Sequence, residues 1–185
     1  MKIDLTIRIT PELAERAQSN LKKASYGHLG THFDVMNKAF PLEYTERTGI
    51  VFDISQISGR DVEISDIDLD AVKENMMVLF YSGYVESEGY GTKKYFTEHA
   101  ALSHELIDAL LEKHISMIGV DFSGVRNGAE HNVMDQYCAD RGVFIVENLC
   151  NMKALAAHKG TCAMHVYPLN QAGLTGLPCR VVADI

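Results

Sequence analysis

Residues 28–38 read His-Leu-Gly-Thr-His-Phe-Asp-Val-Met-Asn-Lys. In an extended chain, alternate side chains share a face. One face then carries His28, His32 and Asp34, and the other sends Leu29, Thr31, Phe33 and Val35 into a core. A polar face of that composition suggests something to bind. Residues two apart on a strand sit roughly 6.6 Å apart, so His32 and Asp34 can converge on one ion. His28 and His32 would lie roughly 13 Å apart on a straight strand, too far for one metal with bonds of about 2.0–2.1 Å. Either the chain turns at Gly30, as glycine permits, or the histidines serve different ions, or a helical turn joins them at i and i+4. Spacing alone also leaves open a surface patch or a hydrogen-bonded core pair.

Two later residues stand out in the same way. His131 lies at the start of the helical stretch AEHNVMDQYCADRG, and Glu147 ends the apolar strand VFIV. A carboxylate at the end of a buried strand needs a partner, because an unpaired buried charge is costly. That partner could be a metal, a lysine or an arginine such as Arg180, or Glu147 could cap the next helix. His104 and His114 read as surface residues of one amphipathic helix, and His99, His158 and His165 have no constellation around them.

Around these residues the periodicity outlines an α/β protein with a mixed sheet and packed helices, one domain spanning residues 1–185. Ile3–Ile9, Gly49–Ser55, Met76–Tyr81, Ile115–Val120, Val143–Val146, Cys162–Tyr167 and Cys179–Ile185 read as strands. Thr10 and Pro11 start a helix that runs to about Ala24, with Thr10 as its N-cap. Further helices are expected over Ser103–His114, Ala129–Arg141 and Leu149–His158. Ser65–Asn75 reads as loop or short helix. Gly83–Lys94, rich in Gly, Tyr and charge, reads as an exposed loop. It could shape specificity together with Gln171–Pro178.

Composition limits the function classes. Hydrophobic residues make up 46% and charged residues 23%, an ordinary globular balance. A net charge of −8 with scattered lysines argues against a nucleic-acid partner. No apolar run is long enough to span a bilayer, so no membrane partner is expected. The N-terminus lacks a signal-peptide core, and the four cysteines form no C-x-x-C pair. A cytoplasmic protein with free thiols is expected.

The stretch His28–Asp34, HLGTHFD, resembles the signature HxGTHxDxPxH of the cyclase family, which includes bacterial kynurenine formamidases and isatin hydrolases. The resemblance extends to IDLT near the N-terminus, IGVDFSG around Asp121, VFIVENLCNM and the closing PCRVVADI. It implies a β-sheet core of swivelling β/β/α type, a homodimer or homotetramer, and metal ligands at His28, His32, Asp34, His131 and Glu147. It also implies one or two divalent ions, zinc first and manganese as the alternative. The implied activity is hydrolysis of a small-molecule amide or cyclic ester by a metal-activated water. The signature's proline is Met36 here, and its final histidine, the expected general acid/base and catalytic position, is Lys38. Lys38 could serve there if burial and nearby cations depress its pKa. It could instead bind a substrate carboxylate, or mark a relative that binds metal or ligand without hydrolysis.

Overall fold

The computed structural model describes residues 1–20, 23 and 26–185. Its strands are β1 (Lys2–Asp4), β2 (His32–Asp34), β3 (Glu46–Asp53), β4 (Met77–Tyr81), β5 (Met117–Val120), β6 (Phe144–Glu147), β7 (Thr161–Pro168) and β8 (Gly176–Asp184). Its helices are α1 (Pro11–Ala17), α2 (Tyr84–Glu88), α3 (Lys93–Thr97), α4 (His104–Glu112), α5 (His131–Ala139) and α6 (Met152–Ala156). β3, β4, β5 and β6 run parallel, and β2, β7 and β8 join antiparallel. Because β7 pairs with both β3 and β8, and β8 with β2, the sheet closes into a barrel. β1 extends the edge that β2 begins, taking residues 182–184 of β8 while β2 takes 176–178.

The two faces of each strand explain the apolar runs. Phe33, Leu79, Met117, Val146 and Val181 fill the barrel interior. Val78, Phe80, Ile118 and Ile145 point outward and meet α4 and α5, forming a second apolar layer with Leu106, Ile107, Leu110 and Met134. All five residues of β4 are buried, as a strand covered on both faces requires. α4 starts where Ser103 accepts a hydrogen bond from the Leu106 amide at 3.1 Å, a cap worth about 1 kcal/mol. Each leucine or isoleucine it buries contributes roughly 1.5–3 kcal/mol. Both layers share the one sheet, so the chain forms a single α/β unit.

Several boundaries differ from the sequence expectations. The first strand ends at Asp4, because the Ile7 amide bonds the Thr31 hydroxyl instead of continuing a ladder. α1 ends at Ala17, and of the expected remainder Leu21, Lys22 and Ala24 lie outside the described residues. The helix expected from Leu149 begins only at Met152. Asn148 and Asn151 hold left-handed backbone, and the Leu149 and Cys150 amides bond Val120 and Leu5 carbonyls. Gly83–Lys94 is more than a loop. It contains α2 and buries Val85. The short strand β2 was not separated in the sequence from the turn before it.

Candidate metal centre

The backbone at residues 27–34 takes one of the geometries left open by spacing, the turn at Gly30. The chain turns at Gly30, whose φ of +72° suits glycine, and becomes extended from His32 onward. The turn brings His28 Nδ1 to 3.0 Å from His32 Nε2 and 3.0 Å from Asp34 Oδ1. His32 Nε2 lies 3.5 Å from the same carboxylate oxygen. Two ligands of a tetrahedral ion with bonds of 2.0–2.1 Å sit about 3.3 Å apart, so this spacing suits one ion.

Strand register brings in Glu147. β2 and β6 pair antiparallel with His32 opposite Glu147 and Asp34 opposite Ile145. The polar side chains therefore share the outward face of the sheet with Ile145, which packs in the helix-covered layer. α5 covers that face and supplies His131 and Asp135, one turn apart. His131 Nε2 lies 2.8 Å from Glu147 Oε1 and 3.2 Å from Asp135 Oδ2. Glu147 Oε2 lies 3.6 Å from His32 Nε2, linking the two groups. Two clusters could hold ions: His28, His32 and Asp34, and Asp34 with His131, Asp135 and Glu147. Asp34 belongs to both.

The residues fit a cation. Asp34 is 1% exposed, and its Oδ2 has no hydrogen-bond donor among the described residues. Such a buried carboxylate oxygen is costly unless something positive meets it. Burial pushes the His32 pKa down, but Asp34 and Glu147 overcome this and hold it up at about 9. Burial raises the Asp34 pKa, and the two histidines outweigh that and keep it well below the usual carboxylate range. The site therefore concentrates negative charge around His32.

The two histidines are oriented from outside the cluster. His32 Nδ1 lies 2.8 Å from the Gly30 carbonyl and donates to it, leaving Nε2 for the site. His28 Nε2 sits 2.8 Å from the Thr175 hydroxyl, so its Nδ1 faces Asp34. A Cβ on Gly124 would meet the His131 ring at 2.7 Å, so this glycine admits the imidazole.

All five sequence-derived ligand candidates thus converge, while Lys38 does not join them. Its Nζ pairs with Asp140 at 2.6 Å, at the end of α5 opposite His131. Nine residues of helix separate those ends by roughly 13 Å. Arg180, considered as a partner for Glu147, instead pairs with Asp4. Asp135 was missed, although its i+4 spacing from His131 was visible. His99 was also missed. It is buried, stacks on Phe122 at 5.2 Å and donates Nδ1 to the Ala100 carbonyl at 2.6 Å. Burial lowers its pKa, and the charges of Glu147 and His131 reach it. No local pattern marked it. A cavity of about 940 Å³ lies beside the first cluster rather than within it. Val35, Lys38, Phe40, Tyr167, Leu169 and Thr175 help to line it, and Thr175 is the residue bonded to His28.

A mixed β-barrel with two clusters of histidine and carboxylate on its helix-covered face defines a metalloprotein-like α/β unit. The Cyclase family model matches residues 3–126, and the chain belongs to that family. No curated protein matches it. A solved structure of a potential metal-dependent hydrolase with cyclase activity is similar over 99% of this chain and 96% of its own, at 20% identity and a TM-score of 0.75. A predicted metal-dependent hydrolase from Bacillus stearothermophilus matches over 99% and 97%, at 20% identity and 0.71. Isatin hydrolase A from Labrenzia aggregata, bound to benzyl benzoate, matches over 99% and 93%, at 19% identity and 0.73. These likenesses establish the shared fold.

Proposed function

We propose that this protein is a metal-dependent hydrolase of a small molecule, cleaving an amide of formamide type or a cyclic ester or lactam. The observation that carries the reading is Asp34, a buried carboxylate shared by two ligand clusters, with one oxygen lacking a donor among the described residues. The ion would be held by His28, His32 and Asp34, with a second position at Asp34, His131, Asp135 and Glu147. Zinc is the first expectation and manganese the alternative. When bound, a divalent ion supplies polarisation of a carbonyl and activation of water for attack.

The chain's own residues prepare that chemistry. The Gly30 carbonyl and the Thr175 hydroxyl orient the two imidazoles. His32, Asp34 and Glu147 are almost fully buried, which keeps bulk water out and strengthens each charge interaction. His131, at 18% exposed, is the most open of the candidate ligands. Lys38 is the one charged side chain among the described residues lining the large cavity. It would meet an anionic substrate group there by exchanging its pair with Asp140.

The test is turnover of formylkynurenine, isatin and simple lactones by protein loaded with Zn²⁺ or Mn²⁺. Hydrolysis of one class supports the reading. Metal-loaded protein that turns over none of them would favour the second reading, a metal- or ligand-binding relative without catalysis. The pairing of Lys38 with Asp140, away from the clusters, is the observation behind that alternative. Exposed Leu42, Tyr167 and Leu169 at the cavity rim support assembly as a homodimer or homotetramer, which sedimentation would read. The four cysteines are free, which suits a reducing cytoplasm. Among the described residues no helix is long and apolar enough to cross a membrane.

A further inference from the structure

We infer that Tyr90 is a positioning residue for the metal centre, acting through the Gly30 peptide; this rests on the proposed metal-site reading. Gly30 is the turn on which His28 and His32 converge, and its peptide groups are held on both sides. The Gly30 amide donates to the Tyr90 hydroxyl at 2.7 Å, across 60 residues of sequence. The Gly30 carbonyl accepts from His32 Nδ1 at 2.8 Å and from Asn148 Nδ2 at 3.0 Å. The Asn148 amide is itself oriented, because Tyr95 donates its hydroxyl to Asn148 Oδ1 at 2.9 Å. The two tyrosines pack edge to face with ring centroids 5.5 Å apart.

The consequence follows from the geometry of the turn. A left-handed glycine is conformationally free, and nothing in its own side chain holds φ near +72°. Rotation of the 29–30 peptide would swing His28 relative to His32, and rotation of the 30–31 peptide would loosen the carbonyl that sets the His32 tautomer. The Tyr90 hydroxyl holds the 29–30 peptide through the Gly30 amide, and Asn148 holds the 30–31 peptide through the Gly30 carbonyl. Burial raises the Tyr90 pKa, so the group remains a neutral hydroxyl that can accept. At its other end the segment bearing Tyr90 is anchored by Asp121, whose carboxylate accepts from the Ser82 amide and hydroxyl and from the Gly83 amide at 2.6–2.9 Å. The segment between β4 and α3 is thus a strap, tied to the sheet at its base and to the ligand turn at its tip.

The test is Tyr90→Phe, which keeps the ring and removes the acceptor. Tyr84→Phe is the control, because Tyr84 lies on the same strap but its hydroxyl bonds the Lys94 carbonyl of α3, away from Gly30. Co²⁺ titration with a competing chelator reads affinity, and the visible absorption of bound Co²⁺ reads coordination geometry. Tyr90→Phe is expected to weaken Co²⁺ binding roughly 10- to 100-fold and alter the absorption band, with Tyr84→Phe matching the unsubstituted protein. Equal affinity and an unchanged band in Tyr90→Phe would overturn the proposal. So would equal weakening in both variants, which would point to general loosening of the strap. If the unsubstituted protein binds no Co²⁺, the metal reading itself fails, and the proposal with it.

Discussion

His32 and Glu147 stand directly opposite each other on antiparallel β2 and β6, and His32 Nε2 lies 3.6 Å from Glu147 Oε2. The ligand motif near the N-terminus and the carboxylate over a hundred residues later thus share one face of one ladder. A one-residue slip of that register would turn either side chain into the barrel interior.

This arrangement separates the roles of the ligands. Asp34→Asn is expected to abolish binding at both positions, because Asp34 belongs to both clusters. Glu147→Gln should remove only the ion nearer α5, and His32→Ala should lose most metal from the first position. Metal-to-protein ratios measured on the purified variants check this. Asp34→Asn and Glu147→Gln retaining equal amounts of metal would contradict the shared role.

Gly124→Ala tests how His131 is seated. The added methyl would meet the His131 ring at Cε1 and Nδ1, at 2.7 and 2.8 Å, on backbone with φ of +98°. The strain is of order 1–3 kcal/mol, and the ring must move off Glu147. Affinity at the second position should fall at least about tenfold, as read by metal competition. Unchanged affinity would mean that His131 does not ligate.

Asp121 gives a pH signature of the strap. Burial raises its carboxyl pKa to about 6, despite the hydrogen bonds from Ser82 and Gly83, against an ordinary value of 3.8. The folded pKa is raised, so the folded state binds the proton more tightly than the unfolded chain does. That contribution is full below about pH 4 and is lost as pH rises through about 6. The loss corresponds to roughly 3 kcal/mol. Denaturant unfolding of Asp121→Asn beside the unsubstituted protein should therefore shift in the variant's favour between pH 4 and 7. Parallel stability curves would rule this out.

Lys38→Met addresses the position where the family signature has histidine. The pair with Asp140 is partly exposed, so its loss should change stability by at most about 1 kcal/mol. Metal content should be unchanged. For a carboxylate-bearing substrate KM should rise while kcat holds, and neutral substrates should be unaffected. A collapse of kcat for every substrate would instead make Lys38 the acid/base group.

Much of this site was legible because its chemistry is local in sequence. His28, His32 and Asp34 fall within seven residues, and a single glycine resolves their spacing. Glu147 stood out as a charge ending an apolar strand. Their convergence was not legible from the residues alone, because it depends on the β2–β6 register and on α5 crossing the outer face. The barrel closure was invisible for a similar reason, since β7 and β8 alternate much as strands of an open sheet do. The late start of α6 escaped because two asparagines adopt left-handed backbone to satisfy tertiary hydrogen bonds. His99 and Tyr90 belong to stretches with no periodic pattern, and only their contacts reveal them.

The central claim is that the Asp34 clusters hold divalent metal. Inductively coupled plasma mass spectrometry of protein purified without chelator tests it most directly. The account predicts near-stoichiometric zinc or manganese, one or two ions per chain. Protein that carries no metal, and takes up none on reconstitution with either ion, would contradict it.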